Sequence, residues 1–376
     1  MGKRISFIFG TRPEAIKLAP VILALKNDAR FAIDVCVTAQ HRSMLDQVLE
    51  IFNIVPDTDL NIMKPNQSLA EITSNAIARI DGYLVNSKPD IVLVQGDTTT
   101  VLAAALASFY HKIPVGHVEA GLRTFNKYSP FPEEINRVMT THVAELHFAP
   151  TELSKENLVR EGIAESKIFV TGNTVIDALL IAKEKIAGNP PGIDGIPESF
   201  MSGKDPIVLI TGHRRENFGG GFESMCNAIL ELSKKFLDHR FIYPVHLNPN
   251  VREPVFRLLG SSPNISLVEP LSYLPFVRLM LRTKLILTDS GGIQEEAPTF
   301  GIPVLVMRDT TERPEGVQSG TVKLVGTEQQ SIVGTVSELL LNDDAYQAMA
   351  SAANPYGDGK ATKRIIHHLA EYLGNI

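Results

Sequence analysis

The chain has 376 residues, which exceeds the size of a typical single hydrophobic core, so two domains are expected. Apolar residues make up 44% of the sequence, which supports well-formed cores and excludes a disordered chain. The 36 lysines and arginines against 42 aspartates and glutamates give a formal charge of −6, which argues against nucleic-acid or anionic-membrane binding as the main role.

Strand-like apolar runs alternate with helical patterns along the whole chain, which is typical of a parallel sheet in an α/β fold. In the first half, the predicted strands are Ile5–Phe9, Ile33–Val37, Ile91–Gln95, Val115–Val118, Leu146–Ala149 and Ile168–Thr171. Residues 188–205 are then rich in Gly, Pro, Ser and Asp, which indicates a surface connection near a domain boundary.

A second series of predicted strands follows at Ile207–Thr211, Phe241–Pro244, Ile265–Val268, Leu285–Thr288, Val304–Met307 and Val322–Val325. Two sheet domains of similar size suggest facing nucleotide-binding folds, in which ligands bind beyond the carboxyl ends of the strands. We expect a first domain over residues 1–172 and a second over residues 173–359. The C-terminal segment 360–376, with a helix at about Lys360–Leu373, is expected to return to the first domain.

The motif Gly10–Lys17, with the sequence GTRPEAIK, follows the first predicted strand. Thr11 and Glu14 fit a capping box at the start of a helix. A capping role does not explain Arg12 and Lys17, whose cations lie at the carboxyl edge of the sheet, where an interdomain ligand would sit. We expect these cations to contact a phosphate or the substrate; the alternative is that they are solvated surface charges.

Three carboxylates are predicted at the same edge of the first sheet. Asp97 follows one strand, Glu119 ends the next, and Glu133 begins a helix after two prolines. Together with Arg12 and Lys17 they suggest proton transfer with charge balance. The structural alternatives are that Asp97 is a helix N-cap and that Glu133 only stabilises a helix dipole.

The second half repeats the plan of strand, polar loop and helix at Leu209–Gly221, where His213 is positioned to donate to a phosphate or to act as an acid. A lone histidine is more often structural. Residues 289–297, with the sequence DSGGIQEEA, follow an apolar run and precede a helix expected to open just past Gly292. Free N–H groups at such a glycine pair, with the helix dipole, favour a diphosphate, and Glu296 would lie near the ribose. The alternative is an ordinary tight turn with a surface glutamate.

The remaining signals limit the chemistry. The two cysteines, Cys36 and Cys226, lie in a predicted strand and a predicted helix and indicate reduced core residues of a cytoplasmic protein. No zinc-type ligand spacing, Walker loop or G-x-G-x-x-G motif is present, so no metal site is expected and ATP hydrolysis and NAD chemistry lose support. Asp57-Thr-Asp59 resembles a cation-holding motif but is predicted to form a turn. No apolar stretch approaches the roughly 18 residues of a membrane span.

Taken together, five motifs resemble those of one family, the bacterial non-hydrolysing UDP-N-acetylglucosamine 2-epimerases. These motifs are Gly10-Thr-Arg-Pro-Glu-Ala, Gln95-Gly-Asp-Thr-Thr-Thr, His117-Val-Glu-Ala-Gly-Leu-Arg, Gly212-His-Arg-Arg-Glu-Asn and Thr288-Asp-Ser-Gly-Gly-Ile-Gln-Glu-Glu-Ala. The resemblance runs from about residue 4 to residue 359. It implies an α/β fold of two Rossmann-like domains of the glycosyltransferase-B type facing a central cleft, and usually a homodimer.

The resemblance also implies the reaction. UDP-GlcNAc and UDP-ManNAc interconvert without a metal or a redox cofactor. The C2 proton is removed and UDP leaves C1, which gives 2-acetamidoglucal; UDP then adds back with protonation on the opposite face of C2. Such an enzyme supplies ManNAc units for a surface polysaccharide.

By this resemblance, the residues Asp97, Glu119, Glu133 and His213 match the catalytic and active-site positions of the family. The substrate-binding positions match Arg12, Lys17, Leu271, Phe276, Ser290, Gly291, Gly292, Glu296 and Arg313. Within that set, Ser290–Gly292 would hold the diphosphate, Glu296 the ribose, and a loop at 271–276 the uracil. Position 271 is Leu here where some members carry Gln, a change that a backbone contact would survive and a side-chain contact would not. A regulatory UDP-GlcNAc site of some members matches Gln40, His41, Arg214 and His246.

Three other functions are compatible with the same residues. A hydrolysing epimerase would release ManNAc and UDP, because water would capture the intermediate. A glycosyltransferase on the same fold would need an acceptor, and a UDP-sugar sensor would leave the three clustered carboxylates without a purpose.

Overall fold

The structure is a computed structural model that describes residues 2–38, 42–64, 66–214 and 217–374, without the side chains of residues 42 and 43. The chain forms two compact units. The first comprises Met1–Leu180 and Tyr356–Ile376, and the second comprises Ile181–Pro355.

The first unit is built on a parallel sheet of seven strands. The strands are β1 (Lys3–Phe9), β2 (Phe31–Val37), β3 (Thr58–Asp59), β4 (Ile91–Gln95), β5 (Val115–Val118), β6 (Leu146–Ala149) and β7 (Ile168–Val170). Their spatial order is β3-β2-β1-β4-β5-β6-β7. The helices are α1 (Arg12–Lys26), α2 (Arg42–Ile51), α3 (Leu69–Ser87), α4 (Thr99–Tyr110), α5 (Glu133–Val143), α6 (Glu152–Arg160) and α7 (Thr174–Gly188), the last of which crosses the boundary between the units.

The second unit repeats the plan with six parallel strands in the order β10-β9-β8-β11-β12-β13. The strands are β8 (Ile207–Thr211), β9 (Arg240–Pro244), β10 (Ile265–Val268), β11 (Thr283–Thr288), β12 (Val304–Val306) and β13 (Val322–Leu324). The helices are α8 (Glu198–Ser202), α9 (Gly220–Lys235), α10 (Pro249–Leu259), α11 (Tyr273–Leu281), α12 (Gly291–Glu296), α13 (Pro314–Gln318), α14 (Gln329–Leu341) and α15 (Asp343–Ala350).

The last helix, α16 (Ala361–Leu373), belongs to the first unit and contacts α1. Its beginning is held by Asp177 of α7, whose carboxylate accepts hydrogen bonds from the N–H groups of Ala361 and Thr362 at 3.3 and 2.9 Å. The C-terminal segment is therefore anchored at its start by a buried ionisable group as well as by packing.

Strand β8 shows why the predicted apolar runs become central strands. Val208 and Ile210 enter one hydrophobic cluster, with α9 and α14, whereas Ile207 and Leu209 enter another, with α11. Successive side chains of a strand point to opposite faces, so a continuous apolar run is buried on both sides of the sheet. The strands predicted from such runs are confirmed, with ends that differ by at most two residues.

One predicted turn is wrong. Thr58–Asp59 forms the edge strand β3, which pairs in parallel with Cys36 and Val37. Asp57 supports this edge, because its carboxylate accepts the N–H of Val35 at 2.8 Å. Asp57, one of the two aspartates of the motif that resembles a cation site, therefore bonds to the backbone of the sheet.

The two cysteines are buried and free, Cys36 in β2 and Cys226 in α9. Burial raises the pKa of both thiols, to about 12 for Cys226. Within the described ranges, no helix combines the length and apolar character needed to cross a membrane.

In both units the strand order reverses beside the first strand, between β1 and β4 and between β8 and β11. In open parallel sheets, ligands bind beyond the carboxyl ends of the strands at this reversal. The segments that follow these four strands contain Arg12, Asp97, His213 and Ser290. The topology therefore places predicted site residues at the expected position in each unit.

Candidate functional site

In the first unit, Glu14 joins the loops that follow β1 and β4. Its carboxylate accepts the N–H groups of Gly10 and Thr11 at 2.9 and 2.7 Å, which confirms the predicted capping box of α1. The hydroxyl of Thr98 donates to its other oxygen at 2.6 Å. Burial raises the pKa of Glu14, although these hydrogen bonds oppose the shift. The cap therefore also fixes the loop that carries Asp97.

Asp97 follows β4 and faces a buried arginine. Nη2 of Arg137 lies 2.6 Å from Oδ2 of Asp97. The N-cap of α4 is Thr98, not Asp97, so the structural alternative for Asp97 is wrong. Burial raises the pKa of Asp97; Arg137 and Lys17 lower it, and the carboxylates of Glu119 and Glu133 raise it. Asp97 is thus a carboxyl group whose protonation depends on charged neighbours.

Glu119 follows β5 with a backbone φ of +66°, a left-handed conformation that non-glycine residues rarely adopt. Its carboxylate accepts hydrogen bonds from Lys17 at 2.5 Å, from Asn173 at 3.0 Å and from Gln95. The side chains of Lys17 and Glu119 are 14% and 9% exposed. Side chains from three parts of the first unit therefore fix the orientation of this carboxylate.

Glu133 is the first residue of α5, and its charge acts on Asp97. The next residue, Glu134, is buried and accepts the N–H groups of Thr124 and Phe125 at 3.0 and 2.9 Å. Arg12 opens α1 and is exposed. The structure thus brings Asp97, Glu119 and Glu133 together with Lys17, and leaves Arg12 at the surface of the adjoining turn.

His117 holds the loop that contains Asp97 through a hydrogen bond to its backbone. It is completely buried, and its Nε2 lies 2.7 Å from the carbonyl oxygen of Gly96. A carbonyl can only accept, so Nε2 carries the proton. Burial lowers the pKa of His117 to about 3, which keeps the imidazole neutral. This residue positions the loop and is too deeply buried to meet a substrate.

In the second unit, Asp289 holds the loop that contains His213. Asp289 is completely buried, and its Oδ2 accepts the N–H groups of His213 and Arg214, each at 2.8 Å. Its Oδ1 lies 3.6 Å from Nδ1 of His213. Burial lowers the pKa of His213, whereas Asp289 acts to raise it. The His213 ring also stacks on that of His246, with centroids 5.3 Å apart.

The glycine pair after β11 has two different environments. Ser290 is the N-cap and α12 begins at Gly291, so the helix starts earlier than the predicted position past Gly292. A Cβ on Gly291 would lie 2.7 Å from Cζ of Arg313, whose Nε donates to Glu295 at 2.6 Å. A Cβ on Gly292 would meet nothing within 4 Å. A side chain at Gly291 would therefore displace the guanidinium of Arg313 from this position, whereas Gly292 faces open space.

The predicted uracil-binding loop at 271–276 is partly helical, which corrects the prediction. Residues from Tyr273 onward form the first turn of α11, whose apolar sequence buries Tyr273, Val277, Leu279 and Met280; Ser272 occupies the N-cap position without a side-chain cap hydrogen bond. Leu271 and Phe276 are partly buried against the core of the second sheet. The charge of Glu296 acts on the buried hydroxyl of Tyr273, so Glu296 lies near this turn.

Of the residues matched to a regulatory site, Gln40 and His41 lie outside the described residues. Arg214 and His246 are described, and both contact the surroundings of His213: Arg214 shares Asp289 with it, and His246 stacks on it. The predicted catalytic histidine and part of the predicted regulatory set therefore form one cluster.

Among the described side chains, His367, His368 and Glu371 of α16 have ligand atoms within 4.8 Å of one another and are able to hold a metal ion. Glu371 lies 3.0 Å from Nδ1 of His368 and 3.3 Å from Nε2 of His367. None of the three is a predicted site residue. The helical spacing of three and four residues was the sequence signal, and it matches no standard metal motif.

Sequence reasoning assigned no role to several residues that contact the predicted ones: Gln95, Arg137, Asn173, Asp289 and Glu295. Arg137 had a usable signal, since it lies four residues after Glu133 and so on the same helix face. Asn173 had none, because only the tertiary fold brings it to Glu119.

Comparisons with known proteins agree with the resemblance drawn from the motifs. The sequence model of the UDP-N-acetylglucosamine 2-epimerase family matches residues 23–370. The UDP-N-acetylglucosamine 2-epimerase of Escherichia coli (strain K12) is 57% identical, over 97% of this chain and 98% of that protein. The crystal structure of UDP-GlcNAc 2-epimerase from Neisseria meningitidis bound to UDP-GlcNAc is 55% identical, with 98% and 100% coverage and a TM-score of 0.89. The glycotransferase of kitacinnamycin shares the fold, with a TM-score of 0.67 at 10% identity and coverage of 99% and 100%.

Proposed function

We infer that this chain, which belongs to the UDP-N-acetylglucosamine 2-epimerase family, interconverts UDP-GlcNAc and UDP-ManNAc by inverting C2 of the sugar. Its fold is that of the family, two Rossmann-like domains of the glycosyltransferase-B type. The observation that carries the proposal beyond family membership is the cluster at the edge of the first sheet, where Asp97 pairs with Arg137 and Glu119 with Lys17.

The proposed reaction proceeds by elimination and re-addition. A carboxylate takes the proton from C2, the C2–H electron pair forms a C1–C2 double bond, and the C1–O bond breaks so that UDP leaves. UDP then adds back to C1 of 2-acetamidoglucal while C2 receives a proton on the opposite face. Loss of UDP gives C1 oxocarbenium character, which acidifies C2, so stabilising the departing diphosphate matters as much as the base.

We assign proton transfer to Asp97, Glu119 and Glu133. Inversion needs proton exchange on two faces of C2, and a group of several carboxylates supplies more than one acid or base. Burial raises the pKa of Asp97, which suits a group that both accepts and returns a proton. Lys17 orients Glu119, and Arg12 supplies a nearby exposed cation for the substrate.

We assign UDP binding to the second unit. Ser290, Gly291 and Gly292 would bind the diphosphate with backbone N–H groups, and Arg313, which lies against Gly291, would neutralise its charge. His213, oriented by Asp289, would donate to the departing diphosphate. Glu296 would bind the ribose, and Leu271 and Phe276 would contact the uracil.

We also propose a cytoplasmic homodimer that supplies ManNAc units for a surface polysaccharide. Exposed apolar side chains on two helices that pack together support the dimer: Phe109 and Tyr110 on α4, and Ile135 and Met139 on α5. The two buried free thiols suit a reducing compartment. Analytical ultracentrifugation tests the proposed dimer.

We further propose that UDP-GlcNAc binding at Arg214 and His246, with Gln40 and His41, regulates the enzyme. Substrate-activation kinetics test this regulatory site.

Proton NMR of the purified protein with UDP-GlcNAc in D2O, without acceptor or added metal, tests the reaction. UDP-ManNAc with deuterium at C2 is the expected product. Free ManNAc and UDP as the main products would indicate a hydrolysing epimerase instead. An unchanged substrate spectrum would contradict the proposed activity.

A further inference from the structure

Arg137 is a buried cation with no place in the roles assigned so far. Its side chain is 6% exposed, on α5. Nη2 lies 2.6 Å from Oδ2 of Asp97, and Nη1 lies 3.5 Å from Oε2 of Glu134. Nη1 also donates to the carbonyl of Leu122 at 3.4 Å. Burying a guanidinium is costly unless carboxylates and carbonyls compensate its charge. A buried arginine at this position therefore calls for a functional explanation.

We propose that Arg137 is a positioning residue of the epimerase, whose guanidinium fixes the orientation of the Asp97 carboxylate and keeps it ionised so that it can accept the C2 proton. This inference rests on the proposed role of Asp97 in proton transfer. Arg137 acts through Asp97.

The charges around Asp97 show why a second cation besides Lys17 is needed. Glu119 and Glu133 face it and favour its protonated form, as does burial. The second cation, Lys17, is 2.5 Å from Glu119 and so is shared with another carboxylate. Arg137 also compensates Glu134, on its own helix. Without Arg137, Asp97 would lie in a partly desolvated position with two carboxylates and only a shared lysine.

The backbone of the Asp97 loop is held independently of Arg137. Asn136 donates to the carbonyl of Asp97 at 2.9 Å, His117 donates to the carbonyl of Gly96 at 2.7 Å, and Thr98 bonds to Glu14 at 2.6 Å. Replacing Arg137 should therefore change the charge and orientation of the Asp97 carboxylate while the loop keeps its path.

The test is the pH dependence of kcat/KM for the wild type, Arg137→Gln, Arg137→Lys and Asp97→Asn. A base must be unprotonated, so activity rises with pH through its pKa. Loss of the cation raises that pKa, and we expect the acidic limb of Arg137→Gln to move up by about 1–3 pH units. Activity should then recover at high pH. Arg137→Lys keeps the positive charge but lacks the planar guanidinium, so its acidic limb should lie between those of the wild type and Arg137→Gln.

A matched control is Arg123, another buried arginine of the first unit, which pairs with Glu161 at 2.7 Å. Arg123→Gln should lower the melting temperature without moving the acidic limb. If Arg137→Gln fails to fold because Glu134 loses its cation, the double variant Glu134→Gln/Arg137→Gln removes both charges, and the same limb shift is expected from it.

The outcomes separate this inference from the proposed function. If Asp97→Asn is inactive while the Arg137 variant loses activity equally at every pH, Arg137 is merely structural and the inference is overturned. If Asp97→Asn stays active, the role of Asp97 fails, and the inference fails with it. An upward limb shift together with an inactive Asp97→Asn supports both.

Discussion

Nζ of Lys17 lies 2.5 Å from Oε1 of Glu119, although the two residues are 102 positions apart in the chain. Lys17 lies on the helix after β1, and Glu119 follows β5 with a strained backbone. Because β4 lies between these strands, the pair spans the segment that carries Asp97. Lys17, Glu119 and Asp97 therefore interact electrostatically, so a substitution at Lys17 or Glu119 also changes the pKa of Asp97.

Asp97→Asn and Glu119→Gln should each lower kcat by about 10²–10⁴-fold, because each removes a proton-transfer group while keeping the side-chain shape. UDP affinity should change little, and both variants should stay folded with a lowered melting temperature, because each leaves a buried cation short of one carboxylate. Single-turnover kinetics, UDP titration and thermal unfolding measure the three quantities. Asp205→Asn, at an exposed ion pair with Arg240, is the control and should keep activity. Unfolding of the two site variants would show that these residues are structural.

Gly292→Val should weaken UDP binding by about tenfold or more without lowering the melting temperature, since a one-decade loss corresponds to about 1.4 kcal/mol of lost contact. A Cβ at this position meets no protein atom within 4 Å outside its own helix turn, so a loss of affinity reports on the ligand. Calorimetric titration with UDP is the measurement.

Gly291→Ala is the comparison, because there the added Cβ collides with the guanidinium of Arg313. That variant should lose both stability and UDP affinity. Unchanged UDP affinity in Gly292→Val would contradict the diphosphate assignment.

Asp289→Asn should lower the free energy of unfolding by about 1–3 kcal/mol. The Asp289 carboxylate is completely buried and accepts two backbone N–H groups, and the substitution weakens these two hydrogen bonds. It should also lower kcat/KM, since His213 loses its orienting partner. Urea unfolding and steady-state kinetics check both effects. Asp90→Asn is the control: that carboxylate also accepts a backbone N–H, at 2.8 Å, but is exposed. Equal losses from both variants would show that burial does not matter here.

The stability supplied by Glu312 should depend on pH. Burial acts to raise the pKa of this carboxyl, but hydrogen bonds and the charges of Arg308 and Arg313 outweigh it and lower the pKa to about 2. A depressed carboxyl pKa stabilises the fold above the unfolded value of 4.5, and this stability is lost as the pH falls through about 2.

Glu312→Gln should therefore cost about 1–3 kcal/mol at pH 7, and the cost should shrink below pH 4.5. Chemical unfolding at pH 7, 4.5 and 3 measures the difference between the variant and the wild type. Glu338→Gln, at an exposed pair with Lys323, should cost less than about 1 kcal/mol at each pH. A pH-independent cost for Glu312→Gln would refute the assignment to its charge.

The sequence allowed the parallel sheets and the loops at their edges to be predicted, because buried strands and capping motifs are local patterns. Strands β4, β5 and β6 begin and end at the predicted residues, and Glu14 caps α1 as expected. The edge strand β3 was missed, since two polar residues show no strand pattern and are ordered by pairing with β2.

The partners within the site could not be predicted in the same way. Arg137 reaches Asp97, and Asn173 reaches Glu119, across separations that only the tertiary fold closes. The sequence also treated Gly291 and Gly292 as equivalent, whereas in the structure Gly291 lies against the guanidinium of Arg313 and Gly292 faces open space. Such distinctions depend on neighbours that a local pattern does not reveal.

The left-handed backbone at Glu119 has a consequence for how this protein can evolve. A non-glycine residue in this conformation costs on the order of 1–3 kcal/mol, and glycine would relieve that strain. Glycine would also remove the carboxylate that Lys17, Gln95 and Asn173 hold in place. With the proton-transfer role proposed for Glu119, selection for a more durable fold and selection for turnover would oppose each other at this position.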